Sequence, residues 1–142
     1  KRIFYKNQLS NLFSRTQTIT DLLNNLGITP RNIGFSYLRD FILELMNQEC
    51  IGISFDSTLY PSICAKHRTS RSSMERSMRS AIQYGWTKGD LQNYLINNRL
   101  AFVVKPTIKE FVYTIACNLY NYEFKLKLGQ IPNLNPLLIK KA

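Results

Sequence analysis

The chain has 142 residues, enough for one domain that buries roughly two-thirds of the surface its unfolded form exposes, so no staple is needed to hold a core together. Nineteen basic residues stand against nine acidic ones, and the net charge of +10 favours anionic partners. Three cysteines without a CxxC pair, a single histidine and no 18-residue apolar run argue against a disulfide framework, a zinc cluster and a membrane span.

Cys50, Cys64 and Cys117 each sit among apolar residues and are read as small free hydrophobes in a reducing, cytoplasmic setting. The positive charge is unevenly spread. Residues 1–65 carry a net +1, residues 66–109 hold nine basic and two acidic groups for a net +7, and residues 110–142 carry +2.

In chain order, residues 1–17 show a weak amphipathic pattern (Phe4, Leu9, Leu12, Phe13), read as a linker or short helix; Lys1 is taken as a processing or fragment boundary, which leaves open whether a domain precedes it. Thr18 and Asp21 are spaced to cap a helix whose apolar face is Ile19, Leu22, Leu23 and Leu26, closed by Gly27. Thr29-Pro30 then suits the start of a second helix, with Phe35, Leu38, Ile42, Leu45 and Met46 facing the core and Asp40 and Glu44 facing solvent. After an apolar loop, Cys50 to Phe55, one of Asp56, Ser57 and Thr58 is expected to cap a third helix that packs through Leu59 and Ile63, with Cys64 beside them.

The turn His67-Arg68-Thr69-Ser70 leads into a helix running to about Thr87, capped either from Ser70 or from Ser72 in a box with Glu75, and stopped at Gly89. At about 100° per residue, Ser72, Glu75, Arg76, Arg79 and Gln83 cluster on one side, opposite Met74, Met78, Ala81 and Gly85. Asp90 caps a short helix, Leu91 to Asn97, that packs Leu91, Tyr94 and Leu95. Leu100 to Val104 is β-prone, a small strand or an extended loop. Thr107-x-x-Glu110 is a capping box before a last long helix, whose stripe of Ile108, Phe111, Val112, Ile115, Leu119 and Tyr122 reads as core. Residues 129–142 form an apolar tail with two prolines that docks on its own domain, binds a partner or stays loose. The fold class expected is all-α, about six helices around a helix-turn-helix over residues 18–128.

Four stretches carry a family resemblance: LGITPRNIGFSYLRD (26–40), LYPSICAKH (59–67), SSMERSMRSAIQYGWTKGD (72–90) and KPTIKEF (105–111). In order and spacing, from about Ile19 to Leu128, the chain resembles the C-terminal DNA-binding effector domain of the sporulation response regulator, stage 0 sporulation protein A. The resemblance implies an all-helical bacterial transcription regulator whose recognition helix enters the major groove, with two copies on adjacent sites or a homodimer. It also implies that the arginines of the ER-xx-R pattern, here Arg76 and Arg79, read bases. Ser73 stands where the family usually has a basic residue, and the family's receiver domain has no counterpart in these residues.

The residues themselves support the same chemistry. The planar donor fork of arginine matches guanine O6 and N7, and each bidentate pair contributes about 1 to 3 kcal/mol of discrimination. Ser72 and Gln83 flank the two arginines as further base contacts, and Glu75 either accepts from a cytosine amine or caps the helix or orients Arg79. Lys66, Arg68, Thr69, Ser70, Arg71, Ser73, Lys88 and Lys105 are the phosphate-binding candidates of the turn and rim.

The expected partner is double-stranded DNA in the cytoplasm, at the nucleoid, with no cofactor, metal or membrane. The rival reading is a helix-turn-helix retained as a protein-interaction module, for RNA polymerase or another regulator, with only non-specific DNA binding; Ser73 and the apolar tail favour it. An enzyme is not expected, because the sequence places no carboxylate to orient His67, which reads as a helix C-terminal residue favoured by the dipole.

Overall fold

The computed structural model describes residues 15–100 and 104–129, and all regular structure among them is helical. Helix α1 covers residues 15–25; α2 is Phe35–Asn47, α3 Tyr60–His67, α4 Arg71–Thr87, α5 Leu91–Asn97 and α6 Ile108–Lys127. The expected strand or loop at Leu100–Val104 falls partly, and the tail from residue 130 wholly, outside the described residues, as do residues 1–14.

Helix α1 already includes residues 15–17, so Thr18 and Asp21 lie inside it and do not cap it. Asp21 instead accepts from Gln17 Nε2 at 2.8 Å, one turn back on the same helix. The apolar face is as expected: Ile19, Leu22, Leu23 and Leu26 are fully buried. Gly27 closes the helix at φ +89°, where the Ile28 amide reaches the Leu23 carbonyl at 2.9 Å and the Gly27 amide the Asn24 carbonyl at 3.0 Å.

Pro30 does not start α2. Thr29 to Asn32 close a turn in which the Asn32 amide donates to the Thr29 carbonyl (2.8 Å) and Asn32 Oδ1 accepts from the Thr29 amide (2.9 Å), so the helix begins five residues after Pro30. The asparagine side chain satisfies locally what a first helical turn would have satisfied, and the chain reaches Gly34 before winding.

Helix α2 lies along α6, and these two form the centre of the domain. Phe35, Leu38, Phe41, Ile42, Leu45 and Met46 are buried from one side, Ile108, Phe111, Val112, Ile115, Ala116 and Leu119 from the other. Tyr122, expected in the core stripe, is only half-buried. The capping box of α6 is formed: Thr107 Oγ1 accepts from the Glu110 amide (3.2 Å) and Glu110 Oε1 from the Thr107 amide (2.9 Å). Far along α6, Glu123 accepts two hydrogen bonds from Arg15 of α1, at 2.8 and 3.0 Å. Burial raises the Glu123 carboxyl, but the Arg15 bonds and charge, with Lys127, outweigh it and hold the group below the usual carboxylate range.

Before α3, the cap is Ser54 rather than Asp56, Ser57 or Thr58. Ser54 Oγ accepts from the Ser57 amide at 3.1 Å, and a π-helical turn, Phe55–Leu59, feeds directly into α3 with Pro61 in its first turn. This wider turn sets Phe55 and Tyr60 around Phe41, with ring centroids 6.2 and 5.0 Å away. Helix α5 matches expectation in extent and in burying Leu91, Tyr94 and Leu95. Asp90 sits at its N-cap position without a side-chain cap bond and accepts instead from Asn93 Nδ2 at 3.4 Å. The three cysteines are free and half-buried. Burial, then the neighbouring Cys117 side chain, pushes the Cys50 thiol up to about 12.

Candidate nucleic-acid interface

Two helix ends meet back to back at the turn. Helix α3 stops at His67 because Arg68 adopts the left-handed conformation, φ +52° and ψ +49°. The Arg68 and Thr69 amides then close onto the carbonyls of Ala65 (3.3 Å) and Cys64 (3.1 Å). A non-glycine residue held there costs about 1 to 3 kcal/mol, so the surrounding contacts must hold the turn. Ser70 then opens α4, its Oγ accepting from the Ser73 amide at 3.2 Å. Of the two caps the sequence allowed, Ser70 is used and the Ser72–Glu75 box is not formed.

Helix α4 sorts its side chains as its periodicity predicts. Met74, Met78, Ala81, Ile82 and Gly85 are buried, and Cys64 of α3 meets Met74 across the turn with sulfurs 3.9 Å apart. Helix α2 packs against α4 closely enough that a Cβ on Gly34 would stand 2.4 Å from the Ser77 carbonyl oxygen.

The opposite face carries Ser72, Ser73, Arg76, Arg79 and Gln83, all exposed. Among the described residues neither Arg76 nor Arg79 makes a hydrogen bond or an ion pair. Arg79 also borders a groove shared with Lys105, Lys109 and Tyr60. Three residues along a helix correspond to about 4.5 Å of rise, close to the 3.4 Å step between stacked bases.

Glu75 does not orient Arg79. It accepts from Arg71 Nε (3.4 Å) and from the Tyr60 hydroxyl (3.5 Å), which burial and then this carboxylate push up to about 12. Arg71 is thereby committed: its Nη2 pairs with Asp56 Oδ1 at 2.8 Å and its guanidinium lies 4.0 Å over the Tyr60 ring. Asp56, expected as a cap, serves this pair.

The remaining candidates divide by what they already contact. Gln83 Oε1 accepts from Lys105 Nζ at 2.8 Å, joining two predicted residues from distant parts of the chain. Lys66 pairs with Asp40 at 3.1 Å while its side chain stays 62 % exposed. Ser70 uses its oxygen as the cap, Thr69 is half-buried, and Arg68, Ser73 and Lys88 are exposed. Lys109 was not among the sequence candidates. It stands 5.1 Å over the Phe55 ring beside Lys105, and the capping box, which places residue 109 in the first turn of α6, was the available signal.

The largest departure from expectation is Asp40. It is buried, at 6 % exposure, rather than facing solvent, and its carboxylate meets His67 Nε2 at 2.5 Å. A carboxylate does therefore orient His67, which adds to the helix dipole expected to favour it. No serine hydroxyl or cysteine thiol bonds the imidazole among the described residues, so the nucleophile of a triad does not accompany the pair.

Among the described residues no helix is long and apolar enough to cross a membrane, and no group of three or more His, Cys, Asp or Glu side chains is placed to hold a metal ion. The family model described as the sporulation initiation factor Spo0A C terminal matches residues 19–119, from Ile19 within α1 to Leu119 within α6.

Proposed function

The chain belongs to the family of Spo0A C-terminal domains, DNA-binding domains of a sporulation regulator, and on that premise we propose that α4 is its recognition helix, inserted in the major groove with Arg76 and Arg79 reading bases. The observation that carries this reading is the pair of exposed guanidinium groups on the face of α4 opposite its buried methionines, a pair that makes no hydrogen bond or ion pair among the described residues while nearby Arg71 is fully employed. An arginine committed to no internal carboxylate keeps its donor fork for guanine.

Arg68, Ser73 and Lys88 hold the neighbouring phosphates, with Lys105 and Lys109 on the α6 side of the helix; such contacts fix register without carrying sequence information. Ser72 and Gln83 complete the reading face at its two ends, Gln83 steadied by Lys105.

Binding titrations on a cognate and a scrambled duplex at several salt concentrations test the assignment. Arg79→Ala is expected to lower cognate binding by about one to two orders of magnitude, the equivalent of one bidentate pair, with little change on the scrambled duplex. Lys88→Ala is expected to weaken both duplexes alike and to reduce the salt slope by about one. Equal losses on both duplexes for Arg79→Ala would contradict base reading and favour a protein-interaction module with sequence-blind DNA affinity.

A further inference from the structure

The α3–α4 turn is held from outside by one buried charge. Asp40, on α2, is the sole charged side chain among the buried described residues, and three basic side chains converge on it: His67 Nε2 at 2.5 Å, Lys66 Nζ at 3.1 Å and Arg39 Nε at 3.3 Å. His67 is itself only 19 % exposed, with its ring edge-on to Tyr37 at 4.9 Å between centroids. His67 is the last residue of α3, Arg68 is the left-handed residue, and Ser70 caps α4, so whatever fixes the imidazole fixes the start of α4 three residues later. Helix α2 thus grips α4 twice: directly, where Gly34 abuts Ser77, and across the turn through Asp40 and His67.

We infer that Asp40 is a positioning residue for the recognition helix, acting through His67, and that protonation of His67 tightens this grip and with it sequence-specific DNA binding. The inference rests on the reading of α4 given above.

The sign follows from the contacts. A neutral His67 donates Nε2–H to the Asp40 carboxylate as a bond in which only the acceptor is charged, whereas a protonated His67 makes the same bond between opposite charges. Arg39 and Lys66 oppose protonation, but their side chains are 30 % and 62 % exposed, so water and salt screen them far more than they screen the buried contact. With the Tyr37 phenol, these are the charged and titratable groups that face the imidazole from α2 and α3; Arg68 follows it with an exposed side chain. Neither α4 nor the π-helical turn sends a charged group into contact with the ring among the described residues. His67 is also the only histidine of the chain, so a pH effect abolished by His67→Gln has no other imidazole as its source.

The test compares wild type, His67→Gln and Asp40→Asn at pH 6 and pH 8 at fixed ionic strength, reading cognate and scrambled duplex affinity together with protection of the Thr69 amide against hydrogen exchange, corrected for its intrinsic rate. In wild type the cognate-to-scrambled ratio is expected to rise about fivefold or more toward pH 6, the lower end of typical coupling between sites, and Thr69 protection to rise with it. His67→Gln, which keeps a donor but no titrating group, should be flat at the wild-type pH 8 level, and Asp40→Asn lower and flat. If Asp40→Asn is unfolded by circular dichroism, His67→Gln alone decides. A His67→Gln profile that follows wild type in the duplex ratio, or a wild type that shows no pH response in ratio and protection, overturns the inference. If no duplex is bound selectively at either pH, the DNA reading fails and the positioning claim stands or falls on Thr69 protection: sustained by a rise toward pH 6 that His67→Gln abolishes, overturned by equal protection.

Discussion

Gly34→Ala separates backbone conformation from close packing with a single methyl group. Gly34 has φ −73° and ψ −7°, a right-handed conformation open to any residue, so alanine there costs nothing in backbone strain. By restricting the unfolded chain it would stabilise the fold by about 0.4 to 1 kcal/mol if the space were free. The space is not free. The added Cβ would meet the Ser77 carbonyl oxygen at 2.4 Å, its carbon at 2.7 Å and the Met78 Cα at 2.9 Å, all of them backbone atoms of α4 that no rotamer change can move. Relief requires α2 and α4 to separate by several tenths of an ångström over a buried contact, and overpacking of that kind costs about 1 to 3 kcal/mol. The steric term wins, so the variant should be less stable by about 1 to 2 kcal/mol, with a urea midpoint lowered at constant slope. The same shift displaces the exposed face of α4, and cognate DNA binding should fall more than scrambled binding. Equilibrium urea unfolding followed by circular dichroism reads the first effect. An unchanged or raised midpoint would refute the close approach of α2 to α4, and with it the account of how the helix is held.

Other outcomes follow from single contacts. Thr107→Ala removes one half of the α6 capping box and should cost about 1 kcal/mol by urea unfolding, with Ser70→Ala costing a similar amount at the start of α4. Glu123 is held below its ordinary range in the folded state, so its contribution is present above the unfolded carboxylate range and is lost as pH falls through the folded value; the stability gap between wild type and Arg15→Ala should therefore be constant near neutrality and shrink below about pH 4. The Cys50 thiol, pushed up to about 12, should resist iodoacetamide at pH 8 in the native protein and react once the chain is unfolded, as peptide mapping would show.

Much of this architecture was legible because periodicity is a strong signal wherever a helix is long and one-sided. The extents of α4 and α5, the capping box of α6 and the buried faces of α1, α2 and α4 follow from residue spacing alone. Helix starts were harder, since several short polar residues stand near each one and the choice among them depends on what packs nearby. Ser54 displaced Asp56 because Asp56 found Arg71, and Pro30 was left in a turn because Asn32 folded back on Thr29.

The exposed face of the candidate site was legible for the same reason as the helices: Arg76 and Arg79 are placed by helical spacing. Its internal commitments were not. Arg71, Glu75, Lys105 and Gln83 were each expected to act separately until the fold paired Arg71 with Glu75 and Lys105 with Gln83, and Lys105 and Gln83 are 22 residues apart in the chain. Asp40 failed most clearly. A carboxylate in the middle of an amphipathic helix reads as solvated, and only the arrival of α3, 27 residues on, supplies the imidazole and ammonium that make its burial tolerable.

The most direct test of the central claim is selection of bound duplexes from a random pool by wild type, Arg76→Ala and Arg79→Ala. Two arginines reading neighbouring base pairs predict a wild-type motif with guanine preferences at two nearby positions, one relaxed in each variant while the rest of the motif is retained. The same motif from all three proteins, or no motif from wild type, would contradict the claim.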